Sequence, residues 1–251
     1  MSAPDPISHP AGLAATSGLL PLTAAGPANV ARVYDWLIGG KDHYAADREA
    51  GQRLVTAVPG ARQAARDNRA FLGRVTRYLA AEAGITQFID IGSGLPGPGP
   101  VHEIARQAQP GARVVYVDHD PVVVAHALAL LADTPAAGSP QVTAAEADLR
   151  YPRNLLTTRA IRDVIDLSQP VAVLLVAVLH FLADIDRPHE IVRAITGRLA
   201  PGSYLALSHV TADHLDPAAA KAARAAYDGA SAPGVPRTRD DIERFLDGLE
   251  L

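Results

Sequence analysis

Three apolar segments in the middle of the chain each end on an aspartate, and these aspartates are Asp90, Asp118 and Asp148. The apolar runs before them predict buried β-strands. After Asp90 the chain breaks into a turn at Gly92 and Gly94, where the absence of side chains lets the backbone lie close to a ligand. Ligands of open α/β sheets bind beyond the carboxyl ends of parallel strands. The aspartates therefore predict a site for a nucleotide-shaped ligand at that edge of a sheet.

From residue 86 onward, predicted strands and helices alternate. Strands are predicted at 86–91, 113–118, 141–147, 171–179 and 203–208, and helices at 100–109, 120–132, 153–166, 187–199, 216–228 and 238–248. Repeated βα units imply an α/β fold with a doubly wound, mostly parallel sheet and helices on both faces. The strand at 171–179 is apolar throughout, which predicts an interior strand buried on both faces.

The first third of the chain precedes this sheet. Helical periodicity covers 29–38, 46–58 and 61–83, and Gly39 with Gly40 ends the first of these helices. We therefore predict three parts, namely a disordered tail over 1–27, an N-terminal helical cap over 28–84 and a ligand-binding domain over 85–251.

Composition excludes several classes of function. The net charge of −4 gives no electrostatic footprint for nucleic acid. Cysteine is absent, which excludes disulfides and cysteine nucleophiles, and the histidines lack metal-ligand spacing. The apolar stretch 171–179 is far shorter than the roughly 20 residues that span a bilayer. The segment 11–25 follows no basic residue, as a signal peptide would require. We expect a cytoplasmic protein with no metal, no membrane partner and no nucleic-acid partner.

The glycine turn matches the dinucleotide pattern G-x-G-x-x-G over residues 92–97, but its context argues against NAD. Pro96, Pro98 and Pro100 follow at every second position and delay the next helix, so a pyrophosphate would lose the N–H groups of a helix start. A carboxylate at Asp90 also repels phosphate and suits an ammonium group. S-adenosylmethionine has an α-amino group, a ribose, an adenine and no phosphate, and so fits acids at three strand ends.

At these residues the chain resembles a known group of proteins. Asp90-x-Gly92-x-Gly94 is similar to motif I of class I S-adenosylmethionine-dependent methyltransferases, with Pro96 in place of the usual third glycine. Further motifs resemble the bacterial S-adenosyl methyltransferase family, long catalogued as a domain of unknown function, and they lie at residues 31–43, 68–72, 115–121 and 178–181. The resemblance runs from about residue 28 to 251 and implies a Rossmann-like fold that binds S-adenosylmethionine.

For the methionine half of the cofactor, the resemblance implies that Asp90 faces the amino group and that Gly92 and Gly94 pass beneath. Arg69 is a candidate partner for the methionine carboxylate, although an arginine on the surface of an amphipathic helix explains it equally well.

For the adenosine half, the resemblance implies that Asp118 binds the ribose hydroxyls and that His119 flanks the adenine. Asp148 would bond the adenine amino group, helped by the backbone of Leu149. Taken alone, Asp148 is equally typical of a helix cap.

Other residues are candidates for the acceptor side. His180 is a candidate general base at the end of the interior strand, and a buried structural histidine is the alternative; His209 is a weaker candidate. Tyr34 and Phe181 are candidates for contact with the sulfonium, since aromatic faces attract cations. Residues 39–42 form either a plain helix stop or a lid over the site.

These observations favour a methyltransferase that acts on a small-molecule acceptor. A non-catalytic, regulatory protein that binds the cofactor is the first alternative, and an NAD-dependent oxidoreductase is the second. Calorimetry with S-adenosylmethionine, S-adenosylhomocysteine and NAD separates the oxidoreductase from the other two, and transfer of a labelled methyl group separates the methyltransferase from the regulatory protein.

The chain stops at residue 251, where a sixth strand of a class I methyltransferase would begin, so strands six and seven of that fold are missing from the sequence. The predicted strand 203–208 would then be an exposed sheet edge, which invites association. We expect either a truncated form or a homo-oligomer that covers this edge.

Overall fold

The computed structural model describes residues 26–132 and 141–251. Its strands are β1 (Gln87–Ile91), β2 (Arg113–Asp118), β3 (Val142–Glu146), β4 (Ala172–Val176) and β5 (Tyr204–Ser208). They form one sheet in the order β3-β2-β1-β4-β5, and each neighbouring pair is parallel. The predicted doubly wound α/β fold is confirmed, and the chain order reverses between β1 and β4, where such sheets bind ligands.

Helices surround this sheet and precede it. In chain order they are α1 (Val30–Ile38), α2 (Ala45–Ala57), α3 (Ala61–Ala81), α4 (Val101–Ala108), α5 (Pro121–Ala132), α6 (Pro152–Leu156), α7 (Arg159–Val164), α8 (Pro188–Thr196), α9 (Pro217–Ala225) and α10 (Arg239–Glu243). The predicted tail over 1–27 lies outside the described residues except for its last two.

The alternation of side chains along β1 divides its residues between two helix layers. Phe88 packs in one buried cluster with Leu72 of α3 and with residues of α4. Ile89 and Ile91 pack on the other face, in a cluster that includes residues of α6, α7 and α8. Asp90 points to the same side as Phe88, and its side chain therefore lies on the face that α3 covers.

The predicted strand 171–179 is wrong at its carboxyl end, because β4 stops at Val176. Ala177 has a φ of 56°, in the left-handed region, and residues Leu179–Phe181 form a 3₁₀ turn. Leu179 is fully buried, so the apolar run continues through the turn and hydropathy does not mark the end of the strand. His180 consequently lies in this turn and not at the strand end.

Two predicted helices are also wrong in extent. The segment 153–166 forms α6 and α7 separately. Helix α6 ends at its C-cap Thr157, and Thr158 begins α7 as an N-cap whose side chain accepts the N–H of Ile161. The segment 238–248 forms α10 and then a 3₁₀ turn over Arg244–Leu246.

Among the described residues, β5 has β4 as its single neighbouring strand, so the predicted sheet edge is present there. Beyond β5, an isolated parallel bridge joins Thr211 to Arg237. Association through this edge stays a prediction.

In the two described stretches, no helix combines the length and the apolar character that crossing a membrane requires.

The turn after β1 generates a prediction about stability. Gly92 has a φ of 69°, and a Cβ at this position would lie 2.3 Å from Cγ2 of Val178. A left-handed backbone alone costs a non-glycine residue about 1–2 kcal/mol, so we expect Gly92→Ala to lower the free energy of unfolding by at least about 2 kcal/mol in urea denaturation. Gly111→Ala is the control, because a Cβ there meets nothing within 4 Å. Equal stability of the two variants would contradict this account of the turn.

Candidate functional site

A cavity of about 220 Å³ opens at the carboxyl ends of β1 and β4. Every residue for which a role in cofactor binding was predicted lines it, and these residues are Arg69, Asp90, Gly92, Gly94, Asp118, His119, Asp148 and Leu149. The candidates Tyr34 and Phe181 line the cavity as well, whereas His180 and His209 do not. The fold thus brings the three strand-end aspartates to one site.

Asp90 is the most unusual group in this cavity. It is only 5% exposed, and its carboxylate accepts no hydrogen bond from the part of the chain that the structure describes. Burial raises the pKa of Asp90 to about 7, the Arg69 guanidinium opposes this rise and the Asp118 carboxylate adds to it. A buried carboxyl group without a partner is costly. Its position therefore suits a ligand group that donates hydrogen bonds.

Asp118 fixes the path of the glycine turn. Its Oδ2 accepts the N–H of Gly94 at 3.0 Å, and its Oδ1 accepts the N–H of Asp120 at 3.0 Å. Burial raises the pKa of Asp118, although both backbone hydrogen bonds act against the rise. The Nδ1 atom of His119 lies 3.5 Å from Oδ1 of Asp118. The second strand thereby holds the turn that follows the first.

Asp148 has a partner that the sequence did not predict. The Arg150 guanidinium and backbone N–H both bond its carboxylate, with Nη2 2.6 Å from Oδ2. Burial raises the pKa of Asp148, but these hydrogen bonds outweigh burial and the net shift is downward. Arg150 also lines the cavity. The sequence signal that could have indicated this pair is an arginine two residues after the aspartate.

The proline-rich loop after the glycine turn contains no helix before α4. Pro100 is the N-cap of α4 and Val101 its first residue, so the predicted late helix start is confirmed while the predicted place of Pro100 inside the helix is wrong by one residue. Nη2 of Arg69 donates to the Pro98 carbonyl at 3.1 Å. Arg69 therefore braces this loop and faces the cavity at the same time.

Helix α1 forms one wall of the cavity. Its N-cap, Asn29, donates from Nδ2 to Asp120 at 2.6 Å and from its backbone N–H to Asp47 at 2.8 Å. Asp47 also accepts Nε of Arg32 at 2.8 Å. The face of α1 toward the cavity carries Ala31, Tyr34, Asp35 and Ile38, which follow helical spacing. Sequence reasoning placed only Tyr34 at the site.

Residues 39–42 do not line the cavity. Gly39 is the C-cap of α1 with a φ of 91°, and the N–H of Asp42 donates to Oδ2 of Asp35 at 2.9 Å. The segment thus forms the helix stop, and a role as a lid stays a prediction.

His180 lies in a buried cluster behind the cavity wall. Its Nδ1 has no hydrogen-bond partner in the described chain, and its ring stands 5.4 Å from that of His209. Burial lowers the pKa of His180 to about 3, and it lowers that of His209 to about 4. Arg237, which sequence reasoning missed, donates to Nε2 of His209 at 3.1 Å and to Oδ1 of Asp184 at 2.7 Å. The cluster ties the C-terminal segment to the turn after β4.

Residues 231–233 supply another part of the wall that was not predicted. The Ser231 hydroxyl accepts the N–H of Val30 at 3.1 Å, and the Ser231 N–H donates to the Ala28 carbonyl at 2.8 Å. No local sequence signal marks this contact, because the partners are separated by most of the chain.

No group of three or more His, Asp or Glu side chains that could hold a metal occurs in the described residues.

The sheet order, the glycine turn after β1 and the acid that ends β2 define the Rossmann-like fold of class I S-adenosylmethionine-dependent methyltransferases. A model of the family described as S-adenosyl methyltransferase matches residues 23–251. The chain belongs to this family, and it is a methyltransferase whose cofactor is S-adenosylmethionine.

Two solved structures are similar over most of their length. A candidate methyltransferase from Thermobifida fusca YX is 42% identical, with a TM-score of 0.82 over 90% of this chain and 82% of that one. A DUF574 family protein from Streptomyces avermitilis MA-4680 is 41% identical, with a TM-score of 0.83 over 90% of this chain and 84% of that one. No match was found among curated proteins.

The burial of Asp90 generates a prediction about pH. Since its pKa is raised from 3.8 to about 7, the folded protein binds more protons than the unfolded chain in this window, and stability falls as pH rises through it. We expect Asp90→Asn to be more stable than wild type at pH 8 by on the order of 2 kcal/mol, with the difference lost near pH 4. Chemical denaturation at both pH values measures this.

The control is Asp228→Asn, which removes an exposed carboxylate. A stability difference between Asp90→Asn and wild type that is the same at both pH values would contradict the assigned burial of charge.

Proposed function

We propose that this protein transfers a methyl group from S-adenosylmethionine to a small-molecule acceptor and that the eight predicted residues hold the cofactor. The observation that carries the proposal is the buried Asp90 carboxyl, which lacks a partner in the described chain and shares a cavity with Asp118 and Asp148. A carboxylate in this position attracts an ammonium group and repels a phosphate. This supports an adenosyl amino acid as the ligand.

The remaining residues fit the other parts of the cofactor. Gly94 and Asp120 use one lone pair on each Asp118 oxygen, so further lone pairs remain for the two ribose hydroxyls. Arg69 needs to give up only the Pro98 carbonyl to bind the methionine carboxylate. On the adenine side, the backbone of Leu149 is available. Arg150 already donates to both oxygens of Asp148, so Asp148 has to exchange one of these hydrogen bonds for the adenine amino group.

When bound, S-adenosylmethionine supplies an electrophilic methyl carbon for in-line displacement by a nucleophilic atom of the acceptor. The chain itself has to bind both reactants, align them and exclude water. Alignment alone accounts for about 7–11 kcal/mol of the barrier in well-oriented reactions. Helix α1 and residues 231–233 form part of the cavity wall. An acceptor that reacts as a thiolate, a phenolate or a tertiary amine has no proton to lose and needs no base, and the role of His180 as a base stays a prediction.

The wall outside the predicted cofactor contacts is mostly apolar. It includes Val30, Ile38, Phe181 and Pro233 together with the ring of Tyr34. Of the two arginines at the cavity, Arg69 bonds a carbonyl and Arg150 bonds a carboxylate. These features favour a small acceptor with apolar surface over a polyanion or a polymer.

A non-catalytic role would leave the same binding residues in place. Transfer of a labelled methyl group from S-adenosylmethionine to a mixture of small amines, phenols and thiols separates turnover from binding alone. The NAD alternative is disfavoured by the late start of α4 at Val101, which leaves no helix N-terminus at the glycine turn.

Calorimetry tests the cofactor site. We expect wild-type protein to bind S-adenosylmethionine and S-adenosylhomocysteine but not NAD, and we expect Asp118→Ala to weaken both by at least about tenfold, because two hydroxyl partners and the anchor of the Gly94 turn are lost. Asp163→Ala, at an exposed carboxylate on α7, is the control. Binding of NAD without S-adenosylhomocysteine, or equal affinities of the two variants, would count against the proposal.

A further inference from the structure

A chain of side-chain hydrogen bonds joins the carboxyl ends of β4 and β5 to helix α1. The N–H of Ala177 donates to Oγ of Ser208 at 2.9 Å, and that hydroxyl donates to Oδ1 of Asn68 at 2.5 Å. Nδ2 of Asn68 then donates to the Tyr34 hydroxyl at 2.9 Å, and Tyr34 donates to the Ala65 carbonyl at 2.9 Å. The bonds therefore connect the sheet, α3 and α1 through one amide.

The two ends of this series of hydrogen bonds fix which group donates and which accepts in each bond. A backbone N–H can only donate, so the Ser208 hydroxyl accepts from Ala177 and donates to Asn68. A carbonyl can only accept, so Tyr34 donates to Ala65 and must accept from Asn68. The Asn68 amide is consequently held in one orientation by one hydrogen bond at its oxygen and one at its nitrogen.

Three members of the chain also line the proposed cofactor cavity, namely Tyr34, Asn68 and Ala177. Ala177 is held in the left-handed region with a φ of 56°, which an alanine rarely adopts. Tyr34 and Phe181 supply the phenyl-type rings of this cavity. The hydroxyl of Tyr34 is bonded to α3, and Tyr34 also lines the cavity, so the position of its ring in the cavity wall depends on these hydrogen bonds.

We propose that Asn68 is a positioning residue that holds the Tyr34 ring against the reacting centre, where it favours the positively charged cofactor over the neutral product. The inference rests on the proposed cofactor site. S-adenosylmethionine carries a sulfonium charge that S-adenosylhomocysteine lacks, and an aromatic face attracts a cation. Asn68 acts on this preference through Tyr34, because the hydrogen bond from Nδ2 to the Tyr34 hydroxyl fixes the position of the ring.

The affinity ratio of S-adenosylmethionine to S-adenosylhomocysteine, measured by calorimetry, tests this role. We expect Tyr34→Leu to lower the ratio by roughly three- to thirtyfold. Leucine has nearly the same volume as asparagine, but its side chain forms no hydrogen bonds. We expect Asn68→Leu to lower the affinity ratio by at least about threefold, because the Tyr34 ring is no longer held in place. In a Tyr34→Leu background, Asn68→Leu should change the ratio by less than about twofold.

Ser208→Ala removes the hydrogen bond from Ser208 to Asn68 at the sheet, at a residue that does not line the cavity. It provides a second test of the inference if Asn68→Leu does not fold. We expect it to lower the ratio in the same direction as Asn68→Leu. Asn154→Leu, at an exposed asparagine of α6, is the matched control. Thermal stability is recorded for each variant, because a merely structural role would lower the melting temperature and leave the ratio unmoved.

Suppose that Asn68→Leu and Ser208→Ala both still bind the two nucleosides and that their affinity ratios stay within about twofold of wild type. That result would overturn this inference and leave the proposed cofactor site standing. Wild-type protein that binds neither nucleoside would overturn the cofactor site and the inference with it.

Discussion

The site depends on two hydrogen bonds that the Asp118 carboxylate accepts. One oxygen binds the N–H of Gly94 and the other that of Asp120, so the end of β2 sets both the glycine turn after β1 and the start of α5. Asp120 in turn accepts a hydrogen bond from Asn29, the N-cap of α1. A single acid at a strand end therefore positions the turn, α5 and α1 with respect to the sheet.

Burying two carboxyl groups at this edge of the sheet destabilises the folded protein when they are charged. Asp90 and Asp118 are both buried, the Asp118 carboxylate raises the penalty for charge on Asp90, and no guanidinium in the described residues forms an ion pair with Asp90. A fold selected only for stability would replace such groups or pair them. Retaining them is understandable if a cationic, hydrogen-bonding ligand binds at the site, because its binding then offsets the cost of burying the two carboxylates.

Much of this arrangement follows from local sequence. Apolar runs, glycine turns and prolines gave the order of strands and helices, and parallel topology alone places Asp90, Asp118 and Asp148 at one edge. The errors arise where hydropathy and helix periodicity carry no end signal. The apolar run at 171–179 continues through the turn at Ala177, and α6 is divided from α7 by a cap at Thr158.

Apart from Arg150 and the cavity face of α1, the residues that sequence reasoning missed are those with distant partners. Ser231 meets α1 across most of the chain, and Arg237 reaches the turn after β4. Asn68 stood in a recognisable motif, but its role depends on contacts with Tyr34 and Ser208 that no local spacing predicts. Such contacts are set by tertiary packing, and only the folded chain reveals them.

A crystal structure of the protein with S-adenosylhomocysteine would show which ligand groups the strand-end aspartates bind. We expect the ligand amino nitrogen within hydrogen-bond distance of the Asp90 carboxylate and both ribose hydroxyls on Asp118. An adenosyl group outside the cavity, or an Asp90 carboxylate that faces no ligand nitrogen, would contradict this expectation.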